Sequence, residues 1–129
     1  MNVPDGLFYT KEHEWVKIEG NQAKMGITDY AQVSLGDITF VELPKEQTEC
    51  AQFKQIATVE SVKAASDIYA SMSGKVMKIN EELQNRPELL NESPYEQGWL
   101  LTIEISNTKE KENLMSSQEY EKFQEGIAH

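Results

Sequence analysis

Polar and apolar positions alternate over Trp15–Glu19 and again over Ala23–Ile27, with Gly20-Asn21 between them. This pattern predicts two strands joined by a tight hairpin turn. A second alternating run covers Gln55 to Glu60, with Ile56 and Thr58 on one face and Ala57 and Val59 on the other. The chain can extend again over Ile68–Met72, and Gly74 ends that run. Between them Ser61, Ala64, Ala65, Ser66 and Asp67 are small and turn-tolerant, which predicts a reversal with Lys63 at or beside it. Further strands are predicted at Ile38–Leu43, stopped by Pro44, at Lys75–Ile79 and at Trp99–Ile105. Lys45 to Ala51 is polar and predicts a loop.

Helical signals are short until the end of the chain. Thr28 can cap a helix over Asp29–Ser34 that Gly36 terminates, and Asn80 can cap another through Leu83. Arg86-Pro87 opens a further turn of helix around Glu88 to Leu90. Past Asn107, Ser116 and Glu119 have the spacing of a capping box. Tyr120, Phe123 and Ile127 then form one apolar stripe suited to packing on a sheet. The predicted class is mostly β, two small sheets forming a flattened barrel or sandwich, with short edge helices and a C-terminal helix.

A length of 129 residues suits one domain over 1–129, with an N-terminal arm at 1–6 and a helical segment at 108–129. The net charge of −10 supplies no basic footprint, which argues against nucleic acid and anionic membranes as partners. Cys50 is the only cysteine, so no internal disulfide forms. Met1 to Gly6 has neither an apolar signal core nor an Arg-rich transit segment. The expected location is the cytoplasm for a bacterial chain, or the mitochondrial matrix for a mature eukaryotic one.

Local chemistry is sparse. His13-Glu14-Trp15 lacks the second histidine four residues on that a zincin requires, since Lys17 stands there. Cys50 with His13 is conceivable as a nucleophile pair, yet no oxyanion-hole motif accompanies it. Trp15 reads as core. Lys63 is a long amine among small neighbours, either a solvated turn lysine or an amine displayed to another enzyme.

The string Glu60-Ser61-Val62-Lys63-Ala64, with Ser66-Asp67-Ile68-Tyr69 and Ser73-Gly74-Lys75-Val76, resembles the lipoylation hairpin of the glycine cleavage system H-protein family. The resemblance extends through Tyr9–Val16, Gly26–Gln32, Leu35–Ile38, Phe40–Pro44, Asn91–Tyr95 and Gly98–Leu100. It implies a non-catalytic carrier with lipoic acid in amide linkage on Lys63. It also implies Glu14 and Asp67 as acids in a cleft that receives the aminomethyl-loaded arm. The implied partners are a pyridoxal-phosphate glycine decarboxylase, a tetrahydrofolate-dependent aminomethyltransferase and dihydrolipoamide dehydrogenase. A lipoate ligase or an octanoyl or lipoyl transferase would load the lysine.

An acyl relay to other proteins would use the same lysine. A biotin carrier is disfavoured by Val62 and Ala64, where methionines normally flank the lysine. A hydrolase using Cys50 is the third alternative. The chain departs from the family at Glu12, where the plant form has a small hydroxyl residue. It also has Gln47, Ala57 and Phe53 in place of glycines, and Ser71 in place of a proline. Losing glycine removes positive-φ freedom, so the loop from Lys45 to Gln55 is expected to take its own route.

Overall fold

The computed structural model describes residues 1–126 in full and the backbone of Ile127. Nine strands form two antiparallel sheets among the described residues. The larger sheet is built from β1 (Phe8–Tyr9), β2 (Glu14–Glu19), β3 (Gln22–Ile27), β5 (Glu49–Cys50), β8 (Gly74–Ile79) and β9 (Leu101–Ile105), in the order β1-β2-β3-β9-β8-β5. The smaller is β4 (Ile38–Glu42), β6 (Gln55–Ser61) and β7 (Ala65–Tyr69), in the order β4-β6-β7. The sheets stay open, so the fold is the sandwich form of the expected architecture, not a closed barrel.

The inward positions of both sheets meet in one core. Val16, Met25, Val76 and Ile103 come from the larger sheet, and Val41, Val59 and Ile68 from the smaller; all are buried. The first hairpin pairs Glu19 with Gln22. Its turn places Gly20 at φ 61, the glycine-first geometry of a type II′ turn. Helix α1 (Asp29–Leu35) begins where expected, with the Thr28 hydroxyl accepting from Ala31 N. It ends at Gly36, whose φ of 80 suits a residue lacking Cβ.

The last helix, α3 (Ser117–Ile127), opens on the predicted capping box: Ser116 N donates to Glu119 Oε1 at 2.8 Å, and Glu119 N to Ser116 Oγ at 3.2 Å. Tyr120 is fully buried and stacks on Tyr9 at 4.6 Å, and Phe123 is half-buried beside it. The Ile127 side chain and His129 lie outside the described residues. Trp15 belongs to this same cluster and donates from Nε1 to Pro94 O at 2.8 Å.

Several local expectations need correction. The second hairpin strand starts at Ala65, so Ser66 and Asp67 lie in β7 instead of the reversal, and Ala70–Met72 lie beyond it. Part of the Lys45–Ala51 loop pairs as β5, against β8. Asn80 does not cap the 3-10 helix Glu81–Gln84. Its Nδ2 instead donates to Gln97 O and Trp99 O, at 2.8 and 2.9 Å. α2 forms at Leu89–Glu92, slightly later than predicted.

The loss of glycine at Gln47 and Phe53 does not move them out of the left-handed region, since their φ values are 74 and 65. Each costs about 1–2 kcal/mol relative to glycine-like freedom. Each is held there by a backbone bond, Gln47 N to Val76 O at 2.7 Å and Phe53 N to Ala70 O at 2.8 Å. Ala57 and Ser71 are both buried.

Candidate functional site

The Lys63 turn is tighter than the sequence suggested because one hydroxyl satisfies it. Ser61 N donates to Ala64 O at 2.8 Å, which makes Ser61–Ala64 a four-residue turn with Val62 and Lys63 at its centre. Ser61 Oγ accepts from Lys63 N at 3.3 Å and from Ala64 N at 3.1 Å, the bracing pattern of a serine turn. Val62 N leaves the hairpin and donates to Asp37 O at 3.0 Å, in the corner between α1 and β4. The stem of Lys63 lies along that corner: a Cβ placed on Gly36 would sit 3.6 Å from Lys63 Cε. Lys63 is exposed, and none of the ion pairs among the described residues includes it. Val62 beside it is 69% exposed, an apolar side chain displayed at the tip.

The two candidate acids stand in different environments. Asp67 is exposed on β7, where Gln55 Nε2 donates to its Oδ1 at 3.0 Å. It lies four residues beyond Lys63, hence at most about 14 Å away along the chain. Glu14 is fully buried on β2. Its Oε1 accepts from Thr10 Oγ1 at 2.6 Å and its Oε2 from Tyr69 N at 3.0 Å, so the carboxyl ties the larger sheet to the smaller. The structure therefore brings Glu14 to β7 two residues past Asp67 without placing the two acids in contact.

Above Thr10 and Tyr69 opens a cleft of about 340 Å³, lined also by Tyr9, Glu12, Phe53 and Met115. Glu12, the departure noted above, is the carboxylate that lines this cleft. The buried Glu14 is not among its lining residues.

Burial drives Glu14 upward from an ordinary 4.5 to about 7, against the opposing bonds from Thr10 and Tyr69. A raised carboxyl pKa means that the folded protein binds the proton more tightly than the unfolded chain. The contribution of Glu14 to stability then falls as pH rises from about 4.5 through 7, by about 3 kcal/mol across the window. Glu14→Gln keeps an acceptor for Tyr69 N and cannot ionise. The variant is expected to match wild type near pH 4 and to exceed it by that amount at pH 8 in urea unfolding. His13, whose pKa burial lowers, contributes alike to both proteins and drops out of the difference.

The nucleophile pair fails on topology. His13 precedes β2 and Cys50 lies on β5, with β3, β9 and β8 between them in the sheet. His13 Nδ1 instead lies 2.7 Å from Tyr120 Oη, and burial raises the Cys50 thiol pKa. No group of three or more His, Cys, Asp or Glu side chains among the described residues is placed to hold a metal ion. Among the described residues no helix is long and apolar enough to cross a membrane.

Sequence reasoning missed Ser61 as the brace of the turn, Asp37 as its outside anchor and Thr10 as the partner of Glu14. Ser61 was already in the motif, and its small hydroxyl two residues before the lysine was the available signal. Thr10 and Glu14 flank the turn that joins β1 to β2, and no local pattern marks that bond.

Comparison with known proteins bears on the sequence and the fold as a whole. The sequence profile of the family described as Glycine cleavage H-protein matches residues 7–127. A glycine cleavage system H protein of Halothermothrix orenii is 53% identical over 127 residues, covering 98% of this chain and 99% of that protein. One of Staphylococcus saprophyticus is 52% identical over 120 residues, covering 93% and 95%. The crystal structure of a glycine cleavage system H protein from Mycobacterium marinum superposes with a TM-score of 0.87 at 31% identity, over 96% of this chain and 99% of that one. On both sequence and fold, the chain belongs to the glycine cleavage H-protein family.

Proposed function

We propose that the chain is the lipoyl carrier of the glycine cleavage system, with lipoate joined in amide linkage to Lys63. In this role it carries the aminomethyl group from glycine decarboxylase to the aminomethyltransferase, and electrons to dihydrolipoamide dehydrogenase. It has no catalytic site of its own. A lipoate ligase or an octanoyl or lipoyl transferase loads it, and the cytoplasm is its working compartment. One domain over 1–129, with the arm at 1–6 and the C-terminal segment from 108 onward, serves that single task. The observation that carries the reading is Lys63 itself, exposed and free of ion pairs among the described residues at the centre of a braced turn.

The residues present fit the group. An amide-linked cofactor requires a reachable amine that no carboxylate engages, and the turn supplies one. Lipoate would contribute the dithiolane sulfurs at which the redox and group-transfer chemistry occurs. The chain's own residues present, steer and shelter. Ser61 and Asp37 fix where the amine points. Asp67 offers an exposed carboxylate along β7 to a passing cation. Glu14, neutral up to about pH 7, can release its proton from the carboxyl when a cation nears the cleft, since an opposite charge lowers its pKa. The walls from Tyr9, Phe53 and Met115 limit water at the cleft.

The test incubates lipoylated protein with glycine decarboxylase and glycine labelled at its α-carbon, since the carboxyl carbon leaves as carbon dioxide, re-isolates it, and follows retained label with ammonia and formaldehyde release. Wild type is expected to take up label. Glu14→Ala and Asp67→Asn are expected to load equally and to lose the label about tenfold faster, the effect of about 1.4 kcal/mol. Failure of wild type to load removes the carrier reading. Equal retention by both variants and their combination removes the two acids from it.

A further inference from the structure

Resting on the reading of Lys63 as the modified residue, we infer that Asn91 is a positioning residue for that lysine, acting through the corner between α1 and β4. The lysine's turn has one bond in the described structure that leaves the hairpin at its tip, Val62 N to Asp37 O at 3.0 Å. Asp37 is held from both sides by a single side chain. Asn91 Oδ1 accepts from Ile38 N at 2.9 Å, and Asn91 Nδ2 donates to Gly36 O at 2.9 Å. The same amide donates to Gln32 Oε1 at 3.0 Å.

Gln32 Nε2 in turn donates to Asp29 Oδ1 at 2.7 Å, which anchors the clamp in α1. One planar group therefore fixes the backbone on either side of the carbonyl that receives the turn. The backbone of the corner adds one cap bond of its own, Gly36 N to Gln32 O at 2.9 Å, and Ile38 pairs with Ser61 where β4 begins. Gly36 sits at φ 80 at the end of a helix of seven residues, with the least restricted backbone of any residue type. The Lys63 stem rests along that glycine, so displacement of the corner would remove both its tether and its support. An enzyme that reads a lysine by its place on a rigid hairpin responds to such looseness, because a displacement of about 1 Å can cost two orders of magnitude in rate.

Asn80 provides a matched control. It is a buried asparagine whose amide donates to two backbone carbonyls, at Gln97 and Trp99, where the Asn91 amide donates to one backbone carbonyl and to the Gln32 side chain, and none of its bonds reaches the corner or the hairpin. Asn91→Ala, Asn91→Asp and Asn80→Ala are compared in the full chain. Two readouts are used: amide hydrogen exchange at Val62 and kcat/KM for lipoylation by a lipoate ligase, both far below the unfolding midpoint. Asn91→Asp keeps the acceptor for Ile38 N and loses the donor to Gly36 O.

Both Asn91 variants are expected to speed exchange at Val62 and to lower kcat/KM about tenfold or more, Asn91→Asp less than Asn91→Ala. Asn80→Ala is expected to lose stability with neither effect. Should Asn91→Ala be too unstable to study, Asn91→Asp decides alone. Val62 exchange and lipoylation matching those of Asn80→Ala would overturn the inference. Absence of modification in wild type would strike the Lys63 reading instead, and the exchange comparison would still judge the clamp.

Discussion

Lys63→Arg is expected to fold as wild type does and to accept no lipoate at all. Arginine keeps the positive charge and the long stem, and the exposed tip can hold its bulk. Its guanidinium is not an amine that can be acylated under the same geometry, because its nitrogens share a delocalised, permanently protonated charge. No ion pair within the described residues is lost by the change, so the unfolding free energy should change by no more than about 0.5 kcal/mol. The check is an intact mass after co-expression with a lipoate ligase and lipoate, alongside urea unfolding. A lipoylated Lys63→Arg protein would show that another lysine is the true acceptor.

The second large effect concerns register. Moving the amine one residue, with Lys63→Ala and Ala64→Lys together, is expected to reduce lipoylation at least a hundredfold while leaving stability close to wild type. The turn explains the asymmetry. Position 63 is central, its amide held by Ser61 Oγ, and its side chain runs along Gly36. Position 64 closes the turn, with its carbonyl accepting from Ser61 N and its amide donating to Ser61 Oγ. A side chain one residue on leaves the hairpin in a different direction, and a misplacement on the scale of an ångström costs about two orders of magnitude. Both positions are exposed, so folding has little reason to respond. Rapid modification of the shifted lysine would mean that exposure alone is read and that the braced turn is irrelevant.

What the sequence reveals here follows the range of the interactions involved. The first hairpin, the cap at Thr28 and the Ser116–Glu119 box depend on residues close in the chain, and each forms as its pattern predicts. The Lys63 hairpin was legible as a reversal but not in its exact length, because alternation cannot show that Ser61 would satisfy two amides and let β7 start at Ala65. Asn80 shows the opposite case. Its position before a helix signals a cap, yet carbonyls 17 and 19 residues away compete successfully for its amide.

The site's long-range members left no local trace. Asn91 reaches residues 53 to 59 positions earlier, and Glu14 reaches Tyr69 across 55. Composition makes Glu14 one of 22 acidic residues, and within the sequence only the family resemblance singles it out as a cleft acid. Only the sandwich places it between sheets, where desolvation changes its chemistry. Gln47 and Phe53 mark a further limit, since the surrounding backbone bonds hold a left-handed conformation that their side chains disfavour.

Proteolytic mapping of the wild-type protein after enzymatic lipoylation tests the central claim most directly. The predicted result is one lipoyl group per chain, carried wholly by the peptide containing Lys63. Lipoate found on a peptide lacking Lys63, or a chain left unmodified by an active ligase, would contradict it.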